Sequence, residues 1–266
     1  MRIWYQSLGR LDAWGGYPAH LEAMLARAKA PATEIVLKGT QRGIAEYHAT
    51  LAHESKGDVL ANLRRAVAEK ANAFVIGNFF DIGLEEAREI APFPVLGLGE
   101  TSIALSHMMG QSYGLICPNA KYAARLDRAL RAARLDARLA GIAVLDTPRL
   151  TALGAAFDDA RARAELLDAI EHAVARDLGA AEVVIPAGGV VMALMDKAGL
   201  TRFDSGAVVL NGIAGLILMA QTAVQLAGLH GGTLTSRHLS HARPDEGERA
   251  RIAELYGPDV FPHWDD

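Results

Sequence analysis

Two short apolar stretches, each ending abruptly in a loop, constrain the fold of this chain most. They are residues 74–83 (FVIGNFFDIG) and residues 183–190 (VVIPAGGV). A run of β-branched and apolar residues that breaks into Gly, Asn or Pro is typical of a buried parallel strand ending in a functional loop. Because ligands of open α/β sheets bind beyond the carboxyl ends of such strands, the two loops are predicted to form two walls of one pocket.

The rest of the chain alternates between strand-like and helix-like segments. Strands are predicted at residues 2–7, 34–38, 73–77, 95–98, 113–117, 139–144 and 182–185. Helices are predicted after Pro18, at residues 58–70, 84–90, 100–109, 121–133 and 158–179, and in the late apolar run 210–229. This alternation favours parallel sheets joined by right-handed crossovers. The predicted fold class is therefore α/β, with two similar halves that each contain a parallel sheet flanked by helices.

The first stretch, together with residues 97–106 (GLGETSIALS), resembles the aspartate/glutamate/hydantoin racemase superfamily. In that superfamily a strand runs into a Cys-Phe-Gly-Asp-Pro-Gly-like loop, a second strand into a Gly-Ile-Gly-Glu-like turn, and a later strand into Gly-Cys-Ala-Gly. The resemblance covers roughly residues 1–228 and is closest to the hydantoin/allantoin racemase-like branch. Both cysteine positions are substituted here, by Asn78 and Gly188.

The resemblance implies two pseudo-symmetric halves with the site in the cleft between them. Residues 1–106 plus 215–230 would form the first half and residues 107–214 the second, because the last helix of the family crosses back to the first half. Residues 231–266 lie beyond the resemblance and are expected to form a C-terminal extension. The resemblance and the apolar late helix also favour a homo-oligomer.

Composition limits the classes of function that the chain can have. The chain has 266 residues, 51% of them hydrophobic, and a net charge of −4, which indicates a globular protein without the concentrated basic face that nucleic acid requires. Polar residues interrupt the run 210–229, so a buried helix fits it better than a membrane span. With one cysteine, no charged-then-apolar leader and no internal disulfide, a cytoplasmic protein is expected.

The missing thiols decide how the predicted pocket could work. Two thiols on opposite faces of a carbon next to a carbonyl remove and return its proton in this superfamily. Asn78 cannot take either role, but its amide could orient a carboxylate or amide and stabilise developing negative charge. The alternative interpretation is that Asn78 only closes the turn after the strand.

Other candidate residues surround the same pocket. The N–H groups of Gly188 and Gly189 could hold an anionic oxygen, although tight packing of the strand end is the alternative. Phe79 would add an apolar wall, unless it belongs to the core. The resemblance places Cys117 at a strand end lining the site, whereas a buried, inert thiol is the other interpretation.

Polar side chains from other loops complete the predicted site. Gln6 and Ser7, at the end of the first strand, and Asn119 would form a polar ring for a carboxylate. His53, in the loop expected before the second helix, is a candidate for proton transfer near neutral pH. His238 and His241 make only a weak metal site, so no metal is assigned.

The leading hypothesis is an enzyme of this superfamily that acts without a cysteine pair on a small carboxylate, amide or cyclic amide. Its chemistry would be of isomerase or lyase type, next to a carbonyl group. One alternative is an amide or lactam hydrolase, possibly with a metal; another is a binding protein that kept the cleft and lost the reaction. No phosphate loop, dinucleotide signature or nucleophile elbow occurs, and no cofactor is expected.

Overall fold

Two four-stranded parallel sheets form the centre of the molecule. The structure, a computed structural model, describes residues 1–44, 48–147, 150–232 and 234–261. The first half contains β1 (Arg2–Gln6), α1 (Tyr17–Ala28), β2 (Glu34–Lys38), α2 (Ala49–Ala68), β3 (Ala73–Ile76), α3 (Leu84–Ile90), β4 (Val95–Gly97) and α4 (Leu98–Met109). The second half contains β5 (Tyr113–Cys117), α5 (Ala120–Ala132), β6 (Leu139–Val144), α6 (Ala155–Asp158), α7 (Ala160–Asp177), β7 (Val183–Pro186), α8 (Gly189–Lys197) and β8 (Val208–Val209). Two further helices follow, α9 (Gly212–Leu229) and α10 (Glu246–Tyr256).

The two sheets share one topology. Their strand orders are β2-β1-β3-β4 and β6-β5-β7-β8, and the pairs within them are parallel. In each sheet the strand order reverses beside the first strand of that half, which is where open α/β sheets bind ligands. The predicted α/β fold with two similar halves is confirmed.

Alternating side chains of the first sheet pack against different helices. Tyr5 and Val75 belong to the large core that also contains residues of α1 and α9. Trp4 and Phe74, one position earlier, belong to a separate core with residues of α2 and α3. This alternation follows from the period of two in a strand, and it covers the sheet on both faces, as parallel sheets require.

Helix α9 crosses back from the second half to the first. It contacts α1, α4 and β3, and its N-terminus is capped by Asn211, whose side-chain oxygen accepts from the Ala214 N–H at 3.0 Å. By length and hydropathy α9 passes the test for a membrane-spanning helix, and 44% of it is buried inside the molecule. The exact division into residues 1–106 plus 215–230 and 107–214 stays a prediction.

A polar cluster joins the two halves at the start of this crossing. Asp196, on α8, accepts from Asn211 Nδ2 at 2.9 Å and from Arg27 Nη2 at 2.5 Å, and its Oδ2 lies 2.9 Å from His20 Nε2. Arg27 and His20 belong to α1 of the first half, so one carboxylate connects both halves with the N-cap of α9.

The C-terminal extension packs against α3. Arg237 donates to the carbonyl oxygens of Arg88, Glu89 and Ala91 at the end of that helix, where cations are favourable. Helix α10 begins with a capping box between Asp245 and Glu248. Within residues 234–261, none lines the cleft between the halves.

Two helix boundaries differ from the sequence predictions. Helix α2 begins at Ala49 rather than at residue 58, so His53 lies inside the helix and not in the preceding loop. The helix predicted at 158–179 is α7, which begins two residues later, because Asp159 caps it by accepting from the N–H groups of Arg161 and Ala162; the short helix α6 before it was not predicted. Residues 148 and 149, just before this region, lie outside the described residues.

Candidate active site

One cleft receives the strand ends of both halves. Together with the open solvent at its entrance, the cleft has a volume of about 580 Å³. It is lined by Ser7, Leu8, Gly9, Trp14, Tyr17, Ile44, Gly77, Asn78, Pro118, Tyr122, Ala187, Gly188, Gly189, Val190 and Val191. The backbones of the two halves approach closely, because a Cβ built on Gly189 would lie 3.3 Å from the Gly77 carbonyl oxygen. Of the described residues that line the cleft, none carries a carboxylate, an imidazole, an amine or a guanidinium group.

The first turn of α8 supplies backbone donors to the cleft. The first intrahelical bond joins the Met192 N–H to the Gly188 carbonyl at 3.0 Å, which leaves the N–H groups of Gly189, Val190 and Val191 without an intrahelical acceptor. The Gly188 N–H itself donates to the Pro186 carbonyl at 2.8 Å. The predicted Gly188–Gly189 cradle is therefore displaced by one residue, and it lies at the partly positive end of a helix.

Asn78 combines the two roles that its sequence position allowed. Its Oδ1 accepts from the Phe80 N–H at 3.0 Å and closes the loop after β3. Its Nδ2 makes no hydrogen bond to another described residue, and the half-buried side chain lines the cleft. Asn78 can therefore shape the loop with its oxygen and donate to a ligand with its nitrogen.

A tyrosine that was not among the predicted site residues also lines the cleft. Tyr17 is 3% exposed, and its hydroxyl oxygen lies 3.5 Å from a Cβ built on Gly189. Burial raises the pKa of Tyr17 above its ordinary value, while a hydrogen bond with Ser7 opposes that rise. Tyr17 is therefore a neutral hydroxyl at physiological pH. Its position directly after Gly15 and Gly16, where α1 begins, was the only sequence signal for it.

Three predicted substrate-binding residues support the site from outside the cleft lining. Gln6 Nε2 donates to the Ser7 carbonyl at 2.8 Å, and the buried Gln6 side chain holds the end of β1. Phe79 is 3% exposed and belongs to the core. Asn119 Oδ1 caps α5 by accepting from the Tyr122 N–H at 2.9 Å. These residues orient the loops, and none of them lines the cleft.

His53 is separated from the predicted site. It lies on an exposed part of α2 and does not line the cleft, which corrects its placement in a substrate-facing loop. No group of three or more potential metal ligands occurs among the described residues. His241, one of the two histidines considered for a metal, instead lies 3.2 Å from Glu85.

Cys117 is buried at the end of β5 and does not line the cleft. Its side chain is 0% exposed, and burial raises the pKa of the thiol to about 12. The thiolate form, which is the nucleophile, is therefore disfavoured at neutral pH. This geometry supports the inert interpretation of Cys117 over the catalytic one.

We expect native Cys117 to be unreactive toward a thiol reagent. At pH 7.5 the folded protein should react with dithionitrobenzoate at least about 100-fold more slowly than the protein unfolded in urea, because both exposure and ionisation are lacking. The release of thionitrobenzoate measures both rates. Rapid stoichiometric reaction of the folded protein would show that Cys117 is accessible.

Asp81 fixes the loop that carries Asn78. Its carboxylate accepts from the N–H groups of Gly99 and Glu100 at 2.8 Å each, at the start of α4. Burial raises the pKa of Asp81 to about 7, and the two backbone hydrogen bonds oppose that rise. A Cβ on Gly97 would lie 2.3 Å from this carboxyl group, so the glycine of the predicted turn makes room for the contact.

An aromatic contact joins the two halves beside the cleft. The rings of Phe80, in the first half, and Tyr122, in the second, have centroids 4.6 Å apart. The Arg125 guanidinium lies 4.8 Å from the Phe80 ring centroid, within the range of a cation–π interaction. Beside them, Lys121 Nζ lies 2.7 Å from His48 Nδ1. The start of α5 thus closes against the first half on one side of the cleft.

Known proteins resemble this chain over most of its length. The sequence model described as Asp/Glu/Hydantoin racemase matches residues 17–214. Hydantoin racemase from Rhizobium meliloti is 27% identical over 186 residues, which are 70% of this chain and 72% of that protein. Allantoin racemase from Klebsiella pneumoniae superposes with a TM-score of 0.72 and 20% identity, over 92% of this chain and 94% of that one. A liganded mutant of arylmalonate decarboxylase gives a TM-score of 0.58 and 15% identity, over 84% and 92% of the two chains.

Proposed function

Because this chain belongs to the Asp/Glu/hydantoin racemase family, we propose that it is an enzyme that stabilises a carbanion next to a carbonyl group without a cysteine pair. The chain has one cysteine, and that residue is buried outside the cleft. The role of the family thiols at positions 78 and 188 is therefore assigned here to other groups.

The observation that carries this proposal is a cleft rich in hydrogen-bond donors and free of bases. The donors are Asn78 Nδ2, the hydroxyl groups of Ser7 and Tyr17, and the first N–H groups of α8. Preorganised donors stabilise an oxyanion or enolate as negative charge develops, with little reorganisation. No carboxylate, imidazole or amine is present among the described lining residues to remove a proton from carbon.

This donor set favours a lyase reaction over racemisation. Racemisation needs a base to remove a proton, whereas decarboxylation leaves the electron pair on carbon when carbon dioxide departs. The enolate that results needs only hydrogen-bond donors and one acid. We therefore propose decarboxylation of a small carboxylic acid as the leading candidate reaction.

The substrate class follows from the walls of the cleft. Leu8, Ile44 and Val190 are apolar, Trp14 and Tyr122 are aromatic, and no cation lies among the described lining residues. One carboxylate or amide oxygen can accept from the N–H groups of α8, while an apolar or aryl substituent contacts the walls. A small aryl-substituted carboxylate fits this arrangement, and so does a neutral cyclic amide.

Racemisation of a 5-substituted hydantoin is the second candidate. The relative from Rhizobium meliloti favours it, because that protein is a hydantoin racemase. A bound water would have to act as the base. The metal-dependent hydrolase receives no support from the described residues, since they contain no potential metal cluster.

Two compounds separate these reactions. With 2-methyl-2-phenylmalonate we expect release of carbon dioxide, and with optically pure 5-benzylhydantoin we expect exchange of the C5 proton in D₂O at no more than the buffer rate. Rapid exchange together with no decarboxylation would reverse the order of the two candidates. A compound that raises the melting temperature but stays unchanged would favour a binding protein.

Replacing Asn78 with alanine tests the donor set. We expect kcat to fall by about 100- to 1000-fold, as for the loss of one oxyanion-hole donor. The Phe80 N–H also loses its acceptor, which costs about 1 kcal/mol of folding free energy. Steady-state kinetics and thermal denaturation measure the two effects separately.

Asn78→Asp is the matched control for that variant. It keeps an oxygen acceptor for the Phe80 N–H, removes the amide donor and adds a negative charge that opposes an anionic ligand. It should therefore retain more stability than Asn78→Ala and lose at least as much activity. Wild-type turnover in Asn78→Asp would remove the Asn78 amide from the mechanism.

A further inference from the structure

We propose that Tyr17 is the proton donor of the cleft and that helix α6 of the second half holds it in position. The inference rests on the proposed function, because it supplies the proton that the carbanion requires. Two features of the structure support it. One is the buried phenol inside the cleft, and the other is a four-residue helix from the opposite half packed against that phenol.

The hydroxyl of Tyr17 lies among the donor groups of the cleft. It is 3.5 Å from a Cβ built on Gly189, the first residue of α8. Ser7 Oγ accepts from the Gly9 N–H at 3.2 Å and also forms a hydrogen bond with Tyr17. That contact opposes the rise that burial causes in the pKa of Tyr17. The phenol hydroxyl lies beside the start of α8, within reach of a ligand bound there.

The proton transfer balances without a further reactant. The bond between the α-carbon and the departing carboxylate breaks, its electron pair enters the enolate, and carbon dioxide leaves. The O–H bond of Tyr17 then breaks, the proton forms the new C–H bond, and the phenolate regains a proton from water. A carbon acid next to a carboxylate or amide is weaker than a phenol, so transfer from Tyr17 to carbon is downhill.

Helix α6 contacts the start of α1 at two points. The Phe157 ring meets the Tyr17 ring edge to face, with centroids 5.4 Å apart and planes at 62°. Asp158 Oδ2 accepts from the Gly16 N–H at 2.9 Å, directly before Tyr17 in the chain. Through these two neighbours the second half fixes both the ring and the backbone of a residue that belongs to the first half.

Two glycines make this contact possible. A Cβ on Gly15 would lie 2.6 Å from Asp158 Oδ2, and a Cβ on Gly16 would lie 2.5 Å from Asp158 Oδ1. Gly15 also has a φ of +52°, a conformation that side-chain-bearing residues rarely adopt. The Gly-Gly pair therefore admits the carboxylate to the N-terminus of α1, where a negative charge is favourable. We assign Asp158 as a positioning residue for Tyr17.

Tyr17→Phe tests the donor itself. The ring contact with Phe157 is retained, so the melting temperature should change by only a few degrees. With 2-methyl-2-phenylmalonate, kcat should fall by at least about 100-fold and KM should stay within about 3-fold. The wild-type product should be one enantiomer of 2-phenylpropionate, because one residue protonates one face. The residual product of the variant should be racemic.

Asp158 is tested with an adjacent aspartate as control. Asp158→Ala should lower kcat about 10-fold with KM unchanged and should reduce the enantiomeric excess. Asp158→Asn keeps an oxygen that can accept from the Gly16 N–H. It should therefore have the kcat and the enantiomeric excess of the wild type. Asp159→Ala removes the cap of α7 instead and should leave kcat and enantiomeric excess at wild-type values. Equal kinetic effects of Asp158→Ala and Asp159→Ala would overturn the positioning role.

Binding of phenylphosphonate, measured by calorimetry, separates the inference from the proposed function. If the wild type decarboxylates the malonate while Tyr17→Phe retains its rate and enantiomer, the proton-donor role is wrong and the proposed function stands. If the wild type turns over neither compound, the proposed function fails. Tyr17→Phe should then still weaken phenylphosphonate binding by about 5-fold, which supports Tyr17 as a donor to ligands in the cleft. If the wild type and Tyr17→Phe bind phenylphosphonate with equal affinity, or if the wild type does not bind it, Tyr17 is not a donor to ligands in the cleft.

Discussion

The double variant Asn78→Cys/Gly188→Cys is expected to gain hydantoin racemisation, with C5 proton exchange of 5-benzylhydantoin at least about 100-fold above the wild type. Thiols at the ends of β3 and β7 would meet a bound ring from opposite walls of the cleft, one as base and one as acid. Gly188 can accept the side chain, since no atom lies within 4 Å of a Cβ built there and its φ of 167° is extended. Optical rotation and deuterium uptake measure the gain.

Three controls isolate the effect of the thiols. Each single cysteine variant lacks one partner and should exchange at less than a tenth of the rate of the double variant. Asn78→Cys/Gly188→Ser keeps the size of the second side chain and removes its thiol. Iodoacetamide should abolish the gained activity without reaching buried Cys117. A folded double variant with two reactive thiols and no exchange would contradict the assignment of positions 78 and 188 to the cysteines of the family.

Gly77→Ala is expected to cause the largest loss of stability in the cleft, about 3 kcal/mol of the unfolding free energy. A Cβ at this position would lie 2.3 Å from Tyr5 Oη and 2.4 Å from Tyr5 Cζ. The Tyr5 ring is fully buried between the sheet and its helices and cannot move aside without disturbing the core. Urea denaturation followed by circular dichroism gives the change in midpoint and slope.

Gly188→Ala is the matched control for Gly77→Ala. Both glycines line the cleft, but nothing lies within 4 Å of the Cβ built on Gly188. Gly188→Ala should therefore change the unfolding free energy by no more than about 0.5 kcal/mol. Combining Gly77→Ala with Tyr5→Leu should cost less than the sum of the two single variants, because the smaller side chain relieves the overlap. Strict additivity would show that Tyr5 is not the residue that Gly77 accommodates.

The positions of most strands along the chain and the opposition of the two loops could be predicted because both depend on local signals. Buried parallel strands are continuous apolar runs, and the stretches at residues 74–83 and 183–190 end at the same cleft. The start of α2 could not be predicted in the same way. Residues 49–57 include Gly57 and several polar side chains, so they lack the apolar stripe that marks a helix, and tertiary contacts set its beginning.

The site residues near strand ends could be predicted from the sequence, whereas a side chain brought in by a long-range contact could not. Ser7, Asn78, Gly188 and Gly189 line the cleft because each lies within three residues of a strand end. Tyr17 lies eleven positions after the end of β1, and only the folding of that loop onto α6 brings it there. Long-range contacts of this kind leave no periodic trace in a sequence.

The return of α9 to the first half has a consequence for how the chain is made. The first sheet leaves the ribosome early, but the helix that covers part of it, at residues 212–229, emerges only after the whole second sheet. Domains generally fold as units during synthesis, from the N-terminus onward. Here the N-terminal unit keeps an apolar surface uncovered until translation has passed residue 229, so a chaperone that binds such surfaces has its longest opportunity on this half.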